Sequence, residues 1–252
     1  MINPLQITQR TVMVTGASSG IGRETCILLS QLGARLVLVA RDMDRLRITL
    51  NRLEGKDHRI EAFDLTQVEV IPLWLKQLTA EIGPIYGVVH CAGIQITRPL
   101  RFQTCADLDA LLRINLNAAF SLAKGFRQKG VYTREGRLVF LSSVAALAGR
   151  AGISAYAASK GALISLTRSL AMEFARDGLR VNCVAPGYVR TEMTKELENS
   201  LTDEQIAEVE ANHPLGIGTV LDVAYAISFL LADTGRWITG TTIVVDGGYT
   251  AH

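Results

Sequence analysis

Tyr156 and Lys160 stand four residues apart in Tyr156-Ala157-Ala158-Ser159-Lys160. On a helix that spacing puts a phenol and an ammonium on one face. A nearby cation favours the phenolate, so the pair has the chemistry of a proton donor and acceptor for an alcohol or a ketone. The same spacing also occurs as an ordinary surface pair, and its meaning depends on what surrounds it. Ser143 lies just past an apolar run and offers a hydroxyl to the oxygen that Tyr156 would protonate. Asn115 sits inside a helical pattern, Ile114-Asn115-Leu116-Asn117, where asparagine is costly because its side chain competes for backbone groups. A contact to a functional water or to backbone would account for that cost. Taken singly, Ser143 and Asn115 also read as surface decoration.

A second constellation lies near the N-terminus. Gly16-Ala17-Ser18-Ser19-Gly20-Ile21-Gly22 follows the β-branched run 11–15 and opens a helical pattern to Leu32. Unpaired N–H groups and the helix dipole at such a start suit a pyrophosphate, and glycines let it approach the backbone. The spacing is T-G-x-x-x-G-x-G. At the end of the next strand, where a carboxylate would select NAD, the chain reads Val39-Ala40-Arg41-Asp42. Arg41 before a helix start is disfavoured by the dipole, and a 2′-phosphate would relieve it through a forked contact. NADP(H) is therefore favoured, with NAD(H) the alternative and a solvated Arg41 the plain reading. Asp42 caps the following helix.

The elements that must position these groups alternate. Strands are expected at 11–15, 35–40, 59–63, 85–91, 137–141, 179–185 and 242–245. Helices are expected to Leu32, then at 42–53, 68–82, 105–128, 154–176, 203–212 and 221–232, with Thr104 capping the 105–128 helix. Each strand is a nearly unbroken apolar run, as in a parallel sheet covered on both faces. The expectation is an α/β fold, a doubly wound seven-stranded parallel sheet (Rossmann fold), in a single domain, residues 1–252. Asp64-Leu65 and Cys91-Ala92-Gly93 then fall at carboxyl ends of strands, where such sheets bind ligands. Asp64 is suited to an adenine amino group or, equally, to a cap.

Composition narrows the class. The net charge of +2 without a basic block points away from nucleic acid, and 48% apolar residues in 252 supply a core. Cys26, Cys91, Cys105 and Cys183 form no CxxC pair or metal spacing, so no metal is expected. The first ten residues lack the pattern of a secretory signal, and no run is long enough to span a bilayer. A soluble cytoplasmic protein is expected.

Together these residues resemble the short-chain dehydrogenase/reductase superfamily over essentially the whole chain, and most of all its 3-oxoacyl-[acyl-carrier-protein] reductases. The resemblance rests on the glycine turn, Asp64, Ala92-Gly93, Asn115, Ser143, Tyr156, Lys160, and Pro186-Gly187 with Thr191. It implies that Tyr156 is the general acid in reduction, that Lys160 lowers its pKa and holds the nicotinamide ribose, and that Ser143 positions the carbonyl. Asn115 would hold a water behind Lys160. Pro186, Gly187, Val189 and Thr191 would flank the nicotinamide. The family is usually tetrameric through its two long helices, which implies a homotetramer.

The chain departs from that pattern in places. His90-Cys91 replaces the usual Asn-Asn. Asp177 stands where carrier-protein reductases often place a base, and residues 131–135 read as a small insertion; both count against an acyl-carrier protein as partner. Residues 188–217, acidic with interleaved apolar positions, read equally as a substrate lid or as an ordinary amphipathic surface. The leading expectation is hydride transfer between NADP(H) and a small-molecule carbonyl or secondary alcohol. The alternatives are an NAD-dependent dehydrogenase of a sugar, steroid or other secondary alcohol, and a catalytically silent nucleotide-sensing or scaffold protein.

Overall fold

The computed structural model describes residues 3–5, 7–198 and 202–251. Seven parallel strands form one sheet in the order β3-β2-β1-β4-β5-β6-β7. They are β1 (Thr11–Thr15), β2 (Arg35–Ala40), β3 (Arg59–Ala62), β4 (Ile85–His90), β5 (Tyr132–Leu141), β6 (Arg180–Pro186) and β7 (Thr242–Val245). The helices between them are α1 (Gly20–Gln31), α2 (Met43–Leu50), α3 (Ile71–Ile82), α4 (Cys105–Leu112), α5 (Ala118–Phe126), α6 (Ser154–Phe174), α7 (Glu192–Glu198), α8 (Asp203–Ala211) and α9 (Val220–Leu231).

Strand pleat divides the core. Val12 and Val14 of β1 pack with Cys26 and Leu29 of α1 and Val223 and Ile227 of α9. Met13, between them, faces the other way, to Leu75 of α3, Leu122 of α5 and Leu163 of α6. Alternate residues of a strand point to opposite faces, so helices cover both sides and the strands read as continuous apolar runs. The strand order reverses between β1 and β4, and β1 pairs with both β2 and β4. Connections leave that point in opposite directions, which opens a crevice beyond the carboxyl ends of β1 and β4.

Most sequence-derived boundaries hold within a few residues, and three segments differ in kind. The helix expected over 105–128 is interrupted: a π turn, Arg113–Asn117, separates α4 from α5. Its cause is Asn115, whose buried side chain bonds to Ile94 outside the helix. Residues 131–135, read from the sequence as a small insertion, lengthen a strand instead of forming a loop. From Tyr132 onward they belong to β5, which bulges: Ile85 pairs with Tyr132 but Gly87 with Arg137. Glu135 absorbs the extra length at φ +70°, the conformation a bulge demands and few non-glycine residues adopt. Finally, α7 forms where no helix was expected. The lid segment 188–217 thus contains α7 and α8, while its residues 199–201 lie outside the described residues.

Candidate active site

The crevice at the switch point is a cleft of about 1540 Å³. Gly16 begins it. With φ +68°, a Cβ there would stand 2.8 Å from Ala92 N, so the β1 turn and the strand after β4 touch along bare backbone. Gly22 is tighter still, 2.3 Å from Gly16 O. These glycines let α1 start directly at the sheet edge with its first N–H groups facing the cleft. Ser18, Ser19, Gly20 and Ile21 line the same wall. A bare-backbone cradle against a helix N-terminus fits a dinucleotide's diphosphate.

On the β2 side, Arg41 lines the cleft. Asp42 accepts the Arg45 N–H at 3.0 Å and caps α2, as its position implied. Arg45, one turn beyond Arg41, lines the cleft too. Sequence reading missed it, though its place in the first turn of the helix after Arg41 marks it. Asp64 accepts the Thr66 N–H at 3.0 Å. That bond, with help from the Arg41 charge, holds its carboxyl below the usual range. Leu65, Cys91, Ala92 and Gly93 continue the wall. Burial pushes the Cys91 thiol up to about 12, so it stays protonated and inert.

The opposite wall carries the acid–base candidates. β5 ends at Leu141, and Ser143 caps a short turn by accepting the Ala145 N–H at 3.2 Å. α6 brings Tyr156 and Lys160 to the same wall. Lys160 Nζ lies 5.8 Å from the centre of the Tyr156 ring and donates to Leu141 O at 2.8 Å. Burial pulls the Lys160 ammonium down to about 8. Burial also lifts the Tyr156 phenol above its ordinary value, while the Ser143 hydroxyl pulls the other way. The expected lowering of Tyr156 by Lys160 is therefore not what this geometry gives: the ammonium is turned to a backbone carbonyl, and desolvation of the phenol wins. Pro186, Gly187, Val189 and Thr191 close the floor after β6. The Thr191 hydroxyl accepts the Thr194 N–H at 3.2 Å.

Asn115 does not line the cleft. It is fully buried behind it, donating to Ile94 O at 3.1 Å and to Ser159 Oγ at 2.9 Å and accepting the Ile94 N–H at 2.9 Å. It still touches the site: a Cβ on Gly93 would lie 2.9 Å from its Oδ1 and 3.3 Å from Lys160 Nζ. His90 is buried beside them. Thr15 Oγ1 accepts the Ala92 N–H at 3.2 Å and lies 2.9 Å from His90 Nδ1. The hydroxyl hydrogen is then free for Nδ1, which leaves the ring proton on Nε2. Nε2 is buried, and the Ile114 backbone is the polar group that acts on the ring from outside this pair. Among the described residues no group of three or more histidine, cysteine or acidic side chains is placed to hold a metal.

Comparison with known proteins agrees with this geometry. Residues 16–250 match the family model described as enoyl-(acyl carrier protein) reductase. The 3-oxoacyl-[acyl-carrier-protein] reductase of Mus musculus is 35% identical over 236 residues, 93% of this chain and 95% of that protein. The reductase of the same name, FabG, from Rickettsia prowazekii (strain Madrid E) is 35% identical over 97% of this chain and 98% of its own. Among solved structures, a protein from Beutenbergia cavernae, described as an NAD(P)-dependent gluconate 5-dehydrogenase with NADP bound at low occupancy, superposes with a TM-score of 0.91. It is 32% identical and covers 99% of this chain and 100% of its own. The chain belongs to the short-chain dehydrogenase/reductase superfamily. It is accordingly an NAD(P)-dependent oxidoreductase acting on carbonyl and CH–OH groups.

Proposed function

We propose that this protein reduces a small-molecule ketone with NADPH, Tyr156 donating the proton. The observation that carries the reading is the convergence on one cleft of a glycine-lined helix N-terminus, two arginines after β2, and the Ser143, Tyr156 and Lys160 side chains. The glycine turn would hold the diphosphate, and Arg41 and Arg45 the 2′-phosphate, since Arg41 takes the place after β2 and the nearby carboxylate, Asp42, is engaged as the α2 cap. Pro186, Gly187, Val189 and Thr191 would flank the nicotinamide, which when bound supplies or accepts the hydride. Tyr156, kept in its phenol form by burial, is set to donate to the substrate oxygen. Ser143 faces the same oxygen position. Lys160, fixed on Leu141 O, places a cation behind the phenol where charge develops. Asn115 holds Ile94 and Ser159, and through them the wall that carries Tyr156.

The substrate class we favour is a 3-oxoacyl thioester, supported by the 35% identity to reductases of that name over nearly the whole chain. An acyl-carrier protein as its carrier is less well supported, because Asp177 is paired with Arg127 at 2.8 Å instead of offering a base. A keto-sugar acid is the second reading: Arg150 on the cleft suits a carboxylate, and the Beutenbergia relative is described as acting on gluconate. Among the described residues no helix is long and apolar enough to cross a membrane and all four cysteines are free. These features support a cytoplasmic reading. The 188–217 segment would act as the substrate lid. Exposed Phe120 on α5 and Met172 on α6 support pairing of copies toward a homotetramer.

The test is NADPH oxidation measured against a panel of 3-oxoacyl thioesters, ketosteroids and keto-sugar acids. Turnover is expected with a thioester carrying a 3-keto group. Turnover of the keto-sugar acid alone would move the assignment to the second reading, and silence across the panel with intact NADPH binding would favour a nucleotide-sensing protein.

A further inference from the structure

The first residue of α7 reaches across the cleft to the glycine turn. Glu192 Oε2 accepts the Gly20 N–H at 3.0 Å, and Glu192 Oε1 lies 3.1 Å from Arg23 Nη1. Arg45 Nη2 is 4.0 Å from the same Oε1. A carboxylate therefore sits on a backbone donor at the start of α1 and between two arginines, all three of which suit phosphate oxygens. Its side chain is 46% exposed, so packing does not force it there; charge and hydrogen bonds do. Thr191 beside it is tied to Thr194 N–H, and Thr194 to Val189 O, so the turn that enters α7 moves with it.

We propose that Glu192 is an internal competitor of the cofactor's diphosphate, a latch that holds the start of α7 to the glycine turn until the dinucleotide displaces it. This rests on the reading that the diphosphate is bound at that turn. The single Gly20 N–H cannot serve two anions at contact distance, and two like charges a few ångströms apart beside it repel. Entry of the diphosphate expels the carboxylate and frees the head of α7, on the substrate side of the cleft. Cofactor arrival and release of the turn 189–194 at the head of α7 become one linked event. The latch also lowers the apparent affinity for cofactor by the fraction of molecules in which it is closed.

Calorimetric titration of NADPH and NADH into wild type, Glu192→Ala and Glu192→Gln tests this, with Glu208→Gln as control. Glu208 lines the same cleft but makes no contact with the turn. Both nucleotides carry the diphosphate, so Glu192→Ala should bind each about tenfold more tightly than wild type, the scale of a charge-assisted contact released. Glu192→Gln should gain less, and Glu208→Gln should match wild type. Unchanged or weaker binding by Glu192→Ala would overturn the latch. So would a gain confined to NADPH, which would place Glu192 on the 2′-phosphate through Arg45, or an equal gain from Glu208→Gln, which would make it a general charge effect. Failure of wild type to bind either nucleotide would instead overturn the reading of the turn itself.

Discussion

Asn115 donates from Nδ2 to the hydroxyl of Ser159 at 2.9 Å, and Ser159 donates in turn to the carbonyl of Tyr156 at 2.7 Å. The π turn exists to make this possible: one wider turn rotates Asn115 out of the helix register and into the wall behind Lys160. Asn115 is thus the strut between the loop after β4 and the helix carrying the acid–base pair. Asn115→Leu keeps the branching at Cγ but removes every polar atom, and it strands the part-buried Ile94 N–H and C=O and the Ser159 hydroxyl. A loss of about 2–4 kcal/mol in unfolding free energy is expected, read by chemical denaturation, together with a fall in turnover. A variant of wild-type stability would show that the strut carries no load.

Arg41 and Arg45 both line the cleft after β2, where the proposed reading puts the 2′-phosphate of NADPH. Each substitution to alanine should weaken NADPH by about tenfold, the scale of one charge-assisted contact, and leave NADH where it was. Equal losses for both nucleotides would place the arginines on the diphosphate and remove the basis for NADP(H) preference.

How much of this was legible in the sequence follows from periodicity. β1, β2 and β7 were readable to the residue because β-branched and apolar runs end at glycine, alanine-arginine or aspartate. The cleft residues were readable because glycine at φ > 0 and the Tyr-Lys spacing are local signals. The π turn was not, since a single wide turn barely disturbs an apolar stripe of period 3.6, although Asn115 mid-helix marked the place. The β5 bulge was hidden because Thr133, Arg134 and Glu135 break the apolar run. Glu192 looked like one acid among seven; only the fold brings it to Gly20, 172 positions earlier in the chain.

His90 should give the protein an acid limb. Burial, with the Lys160 charge adding to it, lowers its imidazole to about 3. The unfolded chain takes up that proton near the ordinary value of 6.5 and the native state does not, so the unfolded state binds more protons in between. Stability is then lost as pH falls from 6.5 toward 3, by up to ~1.4 kcal/mol per unit. His90→Asn can still accept from Thr15 and has no charge to bury. Its stability should be flatter over that interval in denaturation series at several pH values; an unchanged slope would assign the acid limb to other groups.

Tyr156 and Lys160 separate in their effects. Tyr156→Phe removes the proton and keeps the ring, so turnover should fall by about 10²–10⁴-fold while NADPH titrates as in wild type. Retained turnover would transfer the acid role to another group. Lys160 carries a stability signature as well. Its ammonium, brought down to about 8 by burial, loses its proton in the native state while the unfolded chain holds one up to the ordinary 10.5. The unfolded state again binds more protons, so wild type should gain stability as pH rises from about 8, by up to ~1.4 kcal/mol per unit. The clean window closes near 10, where tyrosines begin to titrate. Lys160→Met has no buried charge to relieve and should lack this alkaline gain, and it should also lose turnover. A variant that lost turnover but kept the alkaline gain would mean that the buried cation behind the phenol is not the group titrating there.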